Sequence, residues 1–246
     1  MGAADFIVTG FPKCGTSALI RLLQRLDDTS ITQLGSGLEA PFLTTDEGVH
    51  RLREQVAASN SKFNGHKYAS YIFSTASLRR IAQEFPDALI VVCVRDVTRA
   101  LVSWHNMHRK IASTGQPSSH FVNASNEARN FYSTCSLSEY YRAYAHNKLC
   151  YAKHLRRLIQ VMDNPKLMVI SQRMLAEDGD KVAREIADRI GTKYRPTSAG
   201  SEKPHVAFAD KVTTVELDDD INAELQRYQA DLDALKRELA GITLLW

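Results

Sequence analysis

Apolar residues follow two patterns along this chain, short continuous runs and stripes at helical spacing. Residues 6–10, 88–94 and 167–170 are runs rich in isoleucine and valine. Runs of this length are typical of parallel strands buried on both faces. Apolar residues also recur every three or four positions over residues 19–26, 75–85, 137–162, 181–190 and 221–239. This alternation predicts an α/β fold, a P-loop-like three-layer α/β/α domain with a central parallel sheet.

The segment between the first strand and the first helix has the composition of a phosphate-binding loop. Backbone N–H groups at a helix start are unpaired and attract anions, and a lysine and two hydroxyls add further donors. The loop departs from the Walker A pattern because its lysine stands two positions before the second glycine. That departure favours a phosphate geometry without bound magnesium, and the alternative is a glycine loop that only turns the chain. The loop consists of Pro12, Lys13, Cys14, Gly15, Thr16 and Ser17.

A second group of polar residues follows the apolar run 88–94. Arg95 and Asp96 come directly after it, and Ser103 lies two helical turns further on. Ligands of open α/β sheets bind beyond the carboxyl ends of the strands, which is where the lysine of the first loop also lies. A guanidinium can donate two parallel hydrogen bonds to a terminal phosphate, so Arg95 and Ser103 predict a second anion site. The alternative is an ion pair between Arg95 and Asp96 at a helix start, with no ligand.

Together the two segments resemble those of the sulfotransferases that use 3′-phosphoadenosine-5′-phosphosulfate (PAPS). The family's loop P-K-[SC]-G-T-[ST] binds the 5′-phosphosulfate, and its motif R-D-P-x-x-R-A-x-S binds the 3′-phosphate; Val97 replaces the proline here. The resemblance implies that the first loop binds the phosphosulfate and that Arg95 and Ser103 bind the 3′-phosphate. Lys203, in a segment that occupies the place of the family's basic loop, is the further cofactor ligand that the resemblance suggests.

Residues 37–43 resemble the K-E-x-x-F-F segment of the carbohydrate and heparan-type branch of this family. Leu38 stands where that branch has its lysine. The resemblance implies that Glu39 is the general base, which removes the proton from the attacking acceptor. The alternative is an exposed loop glutamate without a catalytic role.

Residues 65–71 resemble the G-E-K-S-P-x-Y segment of the same branch, which brings a lysine near the sulfuryl group. That lysine is Lys67, and His66 replaces the glutamate. Lys13 and Lys67 would then neutralise the charge that develops on the leaving oxygen. His66 is the competing base because imidazole titrates near neutrality.

Composition limits the remaining possibilities. The 246 residues, 44% hydrophobic and 24% charged, predict one domain spanning residues 1–246. No apolar run approaches the ~20 residues of a membrane span, and a net charge of +3 gives no argument for nucleic acid.

Since the first strand starts near residue 6, we expect no signal peptide, and the cysteine spacing favours a reducing cytoplasm. We expect no metal, because the pair His105 and His108 is more typical of a helix face.

Two further segments bear on the acceptor and on assembly. Residues 113–135 are polar and aperiodic, so we interpret them as a long loop, either an acceptor-binding lid or a disordered segment. The stripe over residues 221–239 covers fewer than three heptads. It therefore favours a helix packed on the body of the domain, and a coiled-coil homodimer is the alternative.

The sequence thus predicts a sulfotransferase that moves a sulfuryl group from PAPS to a hydroxyl or amine of an acceptor. The acceptor class is a carbohydrate, a glycolipid or a small molecule, and the product is 3′-phosphoadenosine-5′-phosphate (PAP). Two other functions remain open. One is a P-loop nucleotide kinase that uses ATP and magnesium, and the other is a non-catalytic module that binds PAP.

Overall fold

The computed structural model describes residues 4–32, 39–115, 125–163, 165–196, 216–239 and 242–245. Within these ranges, six parallel strands form one sheet in the order β2-β3-β1-β4-β5-β6. The strands are β1 (Phe6–Gly10), β2 (Thr29–Ile31), β3 (Phe63–Lys67), β4 (Leu89–Val94), β5 (Leu167–Ser171) and β6 (Thr243–Leu245). The predicted α/β class and central parallel sheet are confirmed.

Helices connect these strands and cover the sheet. The α-helices are α1 (Thr16–Leu23), α2 (Asp46–Ala57), α3 (Thr75–Glu84), α4 (Val97–Thr114), α5 (Asn126–Thr134), α6 (Leu137–Tyr140), α7 (Tyr151–Met162), α8 (Gln172–Glu177), α9 (Gly179–Ile190) and α10 (Asp219–Glu238). Helix α1 packs against α9, and α3 packs against α7. None of the described helices is long and apolar enough to cross a bilayer.

The centre of the sheet sets the position of the site. Strand β1 lies between β3 and β4, and Val8 is in register with both Lys67 and Val91. After β1 the chain runs to the β2 edge, and after β3 it crosses to the other side of β1. Such a reversal of strand order opens a crevice at the carboxyl ends of the strands. The ends of β1, β3 and β4 therefore meet at one edge.

Gly10 ends β1 with a backbone conformation that favours glycine. Its φ is 133°, and a Cβ atom at this position would lie 2.8 Å from the Cys93 carbonyl oxygen. A side chain here would separate β1 from β4. The glycine thus keeps the start of the phosphate loop beside the end of β4.

Two predictions, the loop over residues 113–135 and the helix over residues 137–162, need correction. Residues 113–135 are not one long loop, because α4 continues to Thr114 and α5 begins after Ser125, whose side chain accepts a hydrogen bond from the Ala128 N–H. The role of a lid stays a prediction, since residues 116–124 lie outside the described residues. The predicted helix over residues 137–162 is interrupted by a π turn and a 3-10 turn, and Cys150, with ψ of 68°, separates them from α7.

The C-terminal stripe packs on the domain itself. Ile221, Leu225, Leu232 and Leu235 on α10 are buried, and the helix contacts α4 and α7. The first of the two interpretations of this stripe is therefore confirmed, and its apolar residues are not free to form a coiled coil. After α10 the chain adds β6 beside β5, a strand that the sequence pattern did not predict.

Candidate active site

The phosphate loop presents a helix N-terminus that no side chain caps. Gly15 is the N-cap residue of α1 with φ of 95°, Lys13 two positions before it has φ of 67°, and the first turn contains no acidic residue. The first N–H groups of α1 therefore remain available to an anion, and the helix dipole favours a negative charge there. Pro12, Lys13, Gly15, Thr16 and Ser17 line one side of a cavity of about 320 Å³.

Arg95 lines the same cavity next to the phosphate loop, as its place at the end of β4 predicts. The side chain is 8% exposed, and its Nη1 donates to the Lys13 carbonyl at 3.2 Å. Its Nε is buried and has no hydrogen-bond partner among the described residues. Leaving a buried cationic donor unsatisfied is costly, so this geometry fits an anionic ligand.

Asp96 and Ser103 follow Arg95 in the chain, Asp96 at the start of α4 and Ser103 within it. Asp96 is the N-cap residue, and its carboxylate accepts a hydrogen bond from the Arg99 N–H at 2.8 Å. Asp96 thus acts as a helix cap. The hydrogen bond of Arg95 given above goes to the Lys13 carbonyl in the phosphate loop. Ser103, two turns along α4, lines the same cavity.

Glu39 and Lys67 complete the site from the β3 side. Lys67 lies at the end of β3 with a fully buried side chain, and its Nζ is 2.6 Å from Glu39 Oε1. The same Nζ donates to Ser17 Oγ at 3.0 Å. The Glu39 carboxylate is 42% exposed and lines the cavity. A buried lysine thus joins the carboxylate to the phosphate loop.

Comparison with known proteins identifies the family of the chain. The family model described as "Sulfotransferase domain" matches residues 3–211. The chain belongs to the sulfotransferase family. No curated protein sequence matches it significantly.

Two solved structures share the fold of this sulfotransferase. One is a sulfotransferase from Alicyclobacillus acidocaldarius, with a TM-score of 0.61 and 20% identity over 96% of each chain. The other is the sulfotransferase domain from the curacin biosynthetic pathway, with a TM-score of 0.50 and 14% identity over 94% of this chain and 98% of that one. At these identities the similarity concerns the fold.

The electrostatics of the phosphate loop of this sulfotransferase are dominated by burial and by neighbouring cations. Burial, and next the guanidinium of Arg95, lower the pKa of Lys13. Two cations held this closely repel each other, and an anion between them relieves the repulsion. The cavity is thus prepared for a negatively charged ligand.

Cys14 does not share this role. Its side chain is fully buried, its Sγ lies 3.4 Å from the Tyr151 hydroxyl, and burial raises the pKa of the thiol to about 12. The thiol is therefore neutral, and it does not line the cavity. Of the six loop residues expected to bind the cofactor, this one packs into the core.

His66 also lies away from the cavity. Its ring is fully buried, with Nδ1 2.9 Å from Thr32 Oγ1 and Nε2 2.7 Å from the Tyr71 hydroxyl. Burial lowers the pKa of His66 to about 3. A neutral ring with both nitrogens in contact with protein groups cannot take a proton from an acceptor, so the expectation of His66 as a competing base is wrong.

The remaining sequence predictions fall outside the cavity or outside the described residues. Lys203 is not among the described residues. The His105 Nε2 lies 3.0 Å from the Cys135 carbonyl, and the His108 Nδ1 lies 3.1 Å from the Tyr140 hydroxyl. His105 and His108 thus each contact a residue of another segment of the chain, Cys135 and Tyr140 respectively.

Sequence reasoning missed several cavity residues, among them Gln172 and Met107. Gln172 directly follows β5, and its position at the carboxyl end of a parallel strand was a usable signal. It also lines a second cavity, of about 880 Å³, that shares Arg95 with the first. The second cavity reaches Lys236 on α10, a contact that only the tertiary structure creates.

Proposed function

We propose that this sulfotransferase takes its sulfuryl group from PAPS and transfers it to a hydroxyl or amine of a carbohydrate, glycolipid or small-molecule acceptor. One observation supports this donor above all. Two cationic sites face one cavity, the uncapped start of α1 with Lys13 and the buried guanidinium of Arg95 with Ser103. A nucleotide with anionic groups at both its 5′ and 3′ positions requires such a pair of sites.

Each part of the site fits a part of this donor. Lys13 and the first N–H groups of α1 bind the 5′-phosphosulfate, and the unsatisfied Nε of Arg95 binds the 3′-phosphate with the Ser103 hydroxyl. The second cavity, which adjoins Arg95, offers the volume that a nucleoside needs. The donor supplies the activated sulfuryl group, and the protein supplies position and charge stabilisation.

Glu39 is the general base of the proposed reaction. Its carboxylate takes the proton from the acceptor oxygen or nitrogen as that atom forms its bond to sulfur and the bond from sulfur to the bridging oxygen breaks. Lys67 holds this carboxylate in place and connects it to the loop that binds the donor. The negative charge that develops on the leaving phosphate is stabilised by Lys13.

The four cysteine side chains support a reducing compartment, and we propose a cytoplasmic location. Cys14, Cys93, Cys135 and Cys150 are all unpaired. The first three are buried among packed side chains, where a reducing environment keeps them as thiols.

Binding of PAP, ADP and ATP tests the donor, with PAP standing for the desulfated product. We expect PAP to raise the melting temperature without magnesium, because a ligand of the folded state stabilises it by mass action. ADP, which has no 3′-phosphate, should raise it much less. Equal stabilisation by ATP with magnesium would favour the kinase, and PAP binding without any turnover would favour the binding module.

The substitution Arg95→Ala tests the 3′ site directly. It should weaken PAP binding by about 1.5–3 kcal/mol, the range for hydrogen bonds to charged groups, and leave ADP binding nearly unchanged. Arg109→Ala is the matched control, since Arg109 is exposed on the same helix outside the cavity. If Arg95→Ala weakens both nucleotides equally, the guanidinium does not recognise a 3′-phosphate.

A further inference from the structure

The backbone that carries the proposed base is held by one phenol. Glu39 is followed by a tight turn, in which the Ala40 carbonyl accepts a hydrogen bond from the Tyr71 hydroxyl at 3.0 Å. Three residues later the Leu43 N–H donates to the same hydroxyl at 2.9 Å. All three residues are buried. The Tyr71 hydroxyl therefore closes the turn immediately beyond the carboxylate.

The hydrogen-bond count at Tyr71 determines the tautomer of His66. A phenol has one hydrogen to donate, and here that hydrogen goes to the Ala40 carbonyl. The third contact of the hydroxyl is His66 Nε2, at 2.7 Å. That nitrogen must then donate, since an unprotonated Nε2 would face an oxygen lone pair. The hydroxyl in this arrangement donates one hydrogen bond and accepts two.

The other ring nitrogen of His66 satisfies the same arrangement. A neutral imidazole with its proton on Nε2 has an acceptor at Nδ1, and Thr32 Oγ1 lies 2.9 Å from it. The Thr32 hydroxyl also lies 3.2 Å from the Gly65 carbonyl, which accepts the Thr32 N–H at 2.9 Å. The hydroxyl hydrogen therefore has two acceptors within reach, and the shorter contact is the one to the ring.

We infer that Tyr71 and His66 are positioning residues that hold Glu39 at the distance from Lys67 and the cavity that proton removal requires. This inference rests on the proposed role of Glu39 as base. The polar chain runs from Thr32 through His66 and Tyr71 to the turn after Glu39, on one side of the carboxylate. Lys67, the residue after His66 on β3, holds the carboxylate itself. Two neighbouring residues of β3 thus act on the base, His66 through Tyr71 and the backbone turn, and Lys67 directly on the carboxylate.

The substitution Tyr71→Phe removes one oxygen atom and tests this inference. With PAPS alone and water as acceptor, we expect kcat for release of PAP to fall by about 10- to 100-fold, since displacement of a reacting group by about 1 Å has effects of that size. The KM for PAPS and the affinity for PAP should stay within about twofold. Tyr194→Phe is the matched control, because its hydroxyl donates to Asp180 outside the cavity and its loss should leave kcat unchanged.

A double-mutant cycle with Glu39→Gln separates positioning from a general effect on the fold. Glu39→Gln alone should lower kcat by about 10²- to 10⁴-fold, and Tyr71→Phe should cost nothing more in that background. Rate losses that multiply, or a Tyr71→Phe enzyme as fast as the wild type, would overturn the inference and leave the base assignment intact. A Glu39→Gln enzyme that releases PAP at the wild-type rate would refute the base assignment and the inference with it.

His66→Gln and His66→Ala provide the second readout. The glutamine amide can donate toward the Tyr71 hydroxyl as Nε2–H does, so kcat of His66→Gln should exceed that of His66→Ala by about tenfold, at equal affinity for PAP. Equal rates in the two variants would contradict the tautomer and the positioning role. Because His66→Ala leaves a buried void, melting temperatures are measured alongside, and the glutamine variant is compared with Tyr71→Phe if the alanine variant does not fold.

Discussion

At the scale of single residues, the site depends on ionisable groups in unusual surroundings. Lys13 is partly buried beside Arg95, and Lys67 is buried beside Glu39. His66 is buried with both ring nitrogens in contact with hydroxyls. Burial disfavours the charged form of each group unless a partner compensates. The pH dependence of binding and stability therefore reports on Lys13 and His66, whose pKa values are lowered by burial.

The affinity for PAP should fall at alkaline pH because of Lys13. Burial and Arg95 lower the pKa of this lysine from its ordinary 10.5, so its ammonium loses the proton at a lower pH than an exposed lysine does. As pH rises through that lowered pKa, the charge that attracts the 5′-phosphate of PAP is lost. Calorimetric titration with PAP should show the decline at pH values below the ordinary lysine pKa of 10.5. Lys13→Arg should move it to higher pH, because arginine keeps its charge, and an unchanged profile in that variant would contradict the assignment.

The free energy of unfolding should fall in mild acid because of His66. The folded-state pKa is about 3, against 6.5 for an ordinary histidine, so below pH 6.5 the unfolded chain binds a proton that the folded protein does not. Stability is therefore lost as pH falls from 6.5 towards 3, by about 2 kcal/mol between pH 7 and pH 5. Urea denaturation of the wild type and His66→Gln should show a smaller pH slope in the variant. Identical slopes would mean that the folded protein protonates the ring.

At the scale of elements, helix termini form the two proposed anion sites. The start of α1 is uncapped and faces the cavity, whereas the start of α4 is capped by Asp96 and carries Arg95 just before it. Since Ser103 lies on the same helix, the first two turns of α4 determine the distance between the two proposed ligands of the 3′-phosphate. The stability of the first two turns of α4 should therefore affect binding at the proposed 3′-phosphate site.

Removal of the α4 cap should reduce both stability and binding. Asp96→Ala should destabilise the protein by about 1 kcal/mol, the usual value for an N-cap, and weaken PAP more than ADP, because fraying of the first turn displaces Arg95. Ser74→Ala is the matched control: its side chain caps α3 by accepting from the Ser77 N–H, away from the cavity. It should cost similar stability and leave PAP affinity unchanged. Denaturation and calorimetry of both variants check this, and equal PAP affinity in the two would refute the coupling.

At the scale of the whole molecule, the C-terminal segment belongs to the same packed unit as the rest. The family model ends at residue 211, yet α10 buries its apolar face against α4 and α7, and β6 extends the sheet beside β5. The Val97 N–H at the start of α4 donates to the side chain of Gln229 on α10. The segment after residue 216 therefore supports the helix that carries the second of the proposed anion sites.

We predict that the chain unfolds in one cooperative transition that includes α10. Leu232→Ala, at a buried position of α10, should lower the free energy of unfolding by about 2–5 kcal/mol. It should shift the transitions seen by fluorescence and by circular dichroism together. Arg156→Ala is the control, since it removes only an exposed ion pair with Glu238, which is worth about 0–1 kcal/mol. Two separate transitions in Leu232→Ala would show that α10 unfolds independently.

Much of the core and of the phosphate loop could be predicted from sequence. Strands β1, β4 and β5 are apolar at nearly every position, because central parallel strands are covered on both faces. Strand β3 was missed as a strand. Its residues Asn64, His66 and Lys67 are polar but buried, so no apolar pattern indicates a strand. His66 and Lys67 contact Thr32, Ser17 and Glu39, which are distant in sequence.

The sequence by itself determined the strand, loop and helix that form the proposed phosphate site, and the place of Arg95 after β4. Both follow from interactions among residues close in the chain: backbone conformation, apolar periodicity and the unpaired N–H groups of a helix start. Only the tertiary structure decided that Lys67 pairs with Glu39, that Cys14 faces the core and that His66 is buried behind the turn. Which polar side chains become buried, and with which partners, depends on packing between segments that are remote in sequence. Propensity and spacing along the chain do not contain that information.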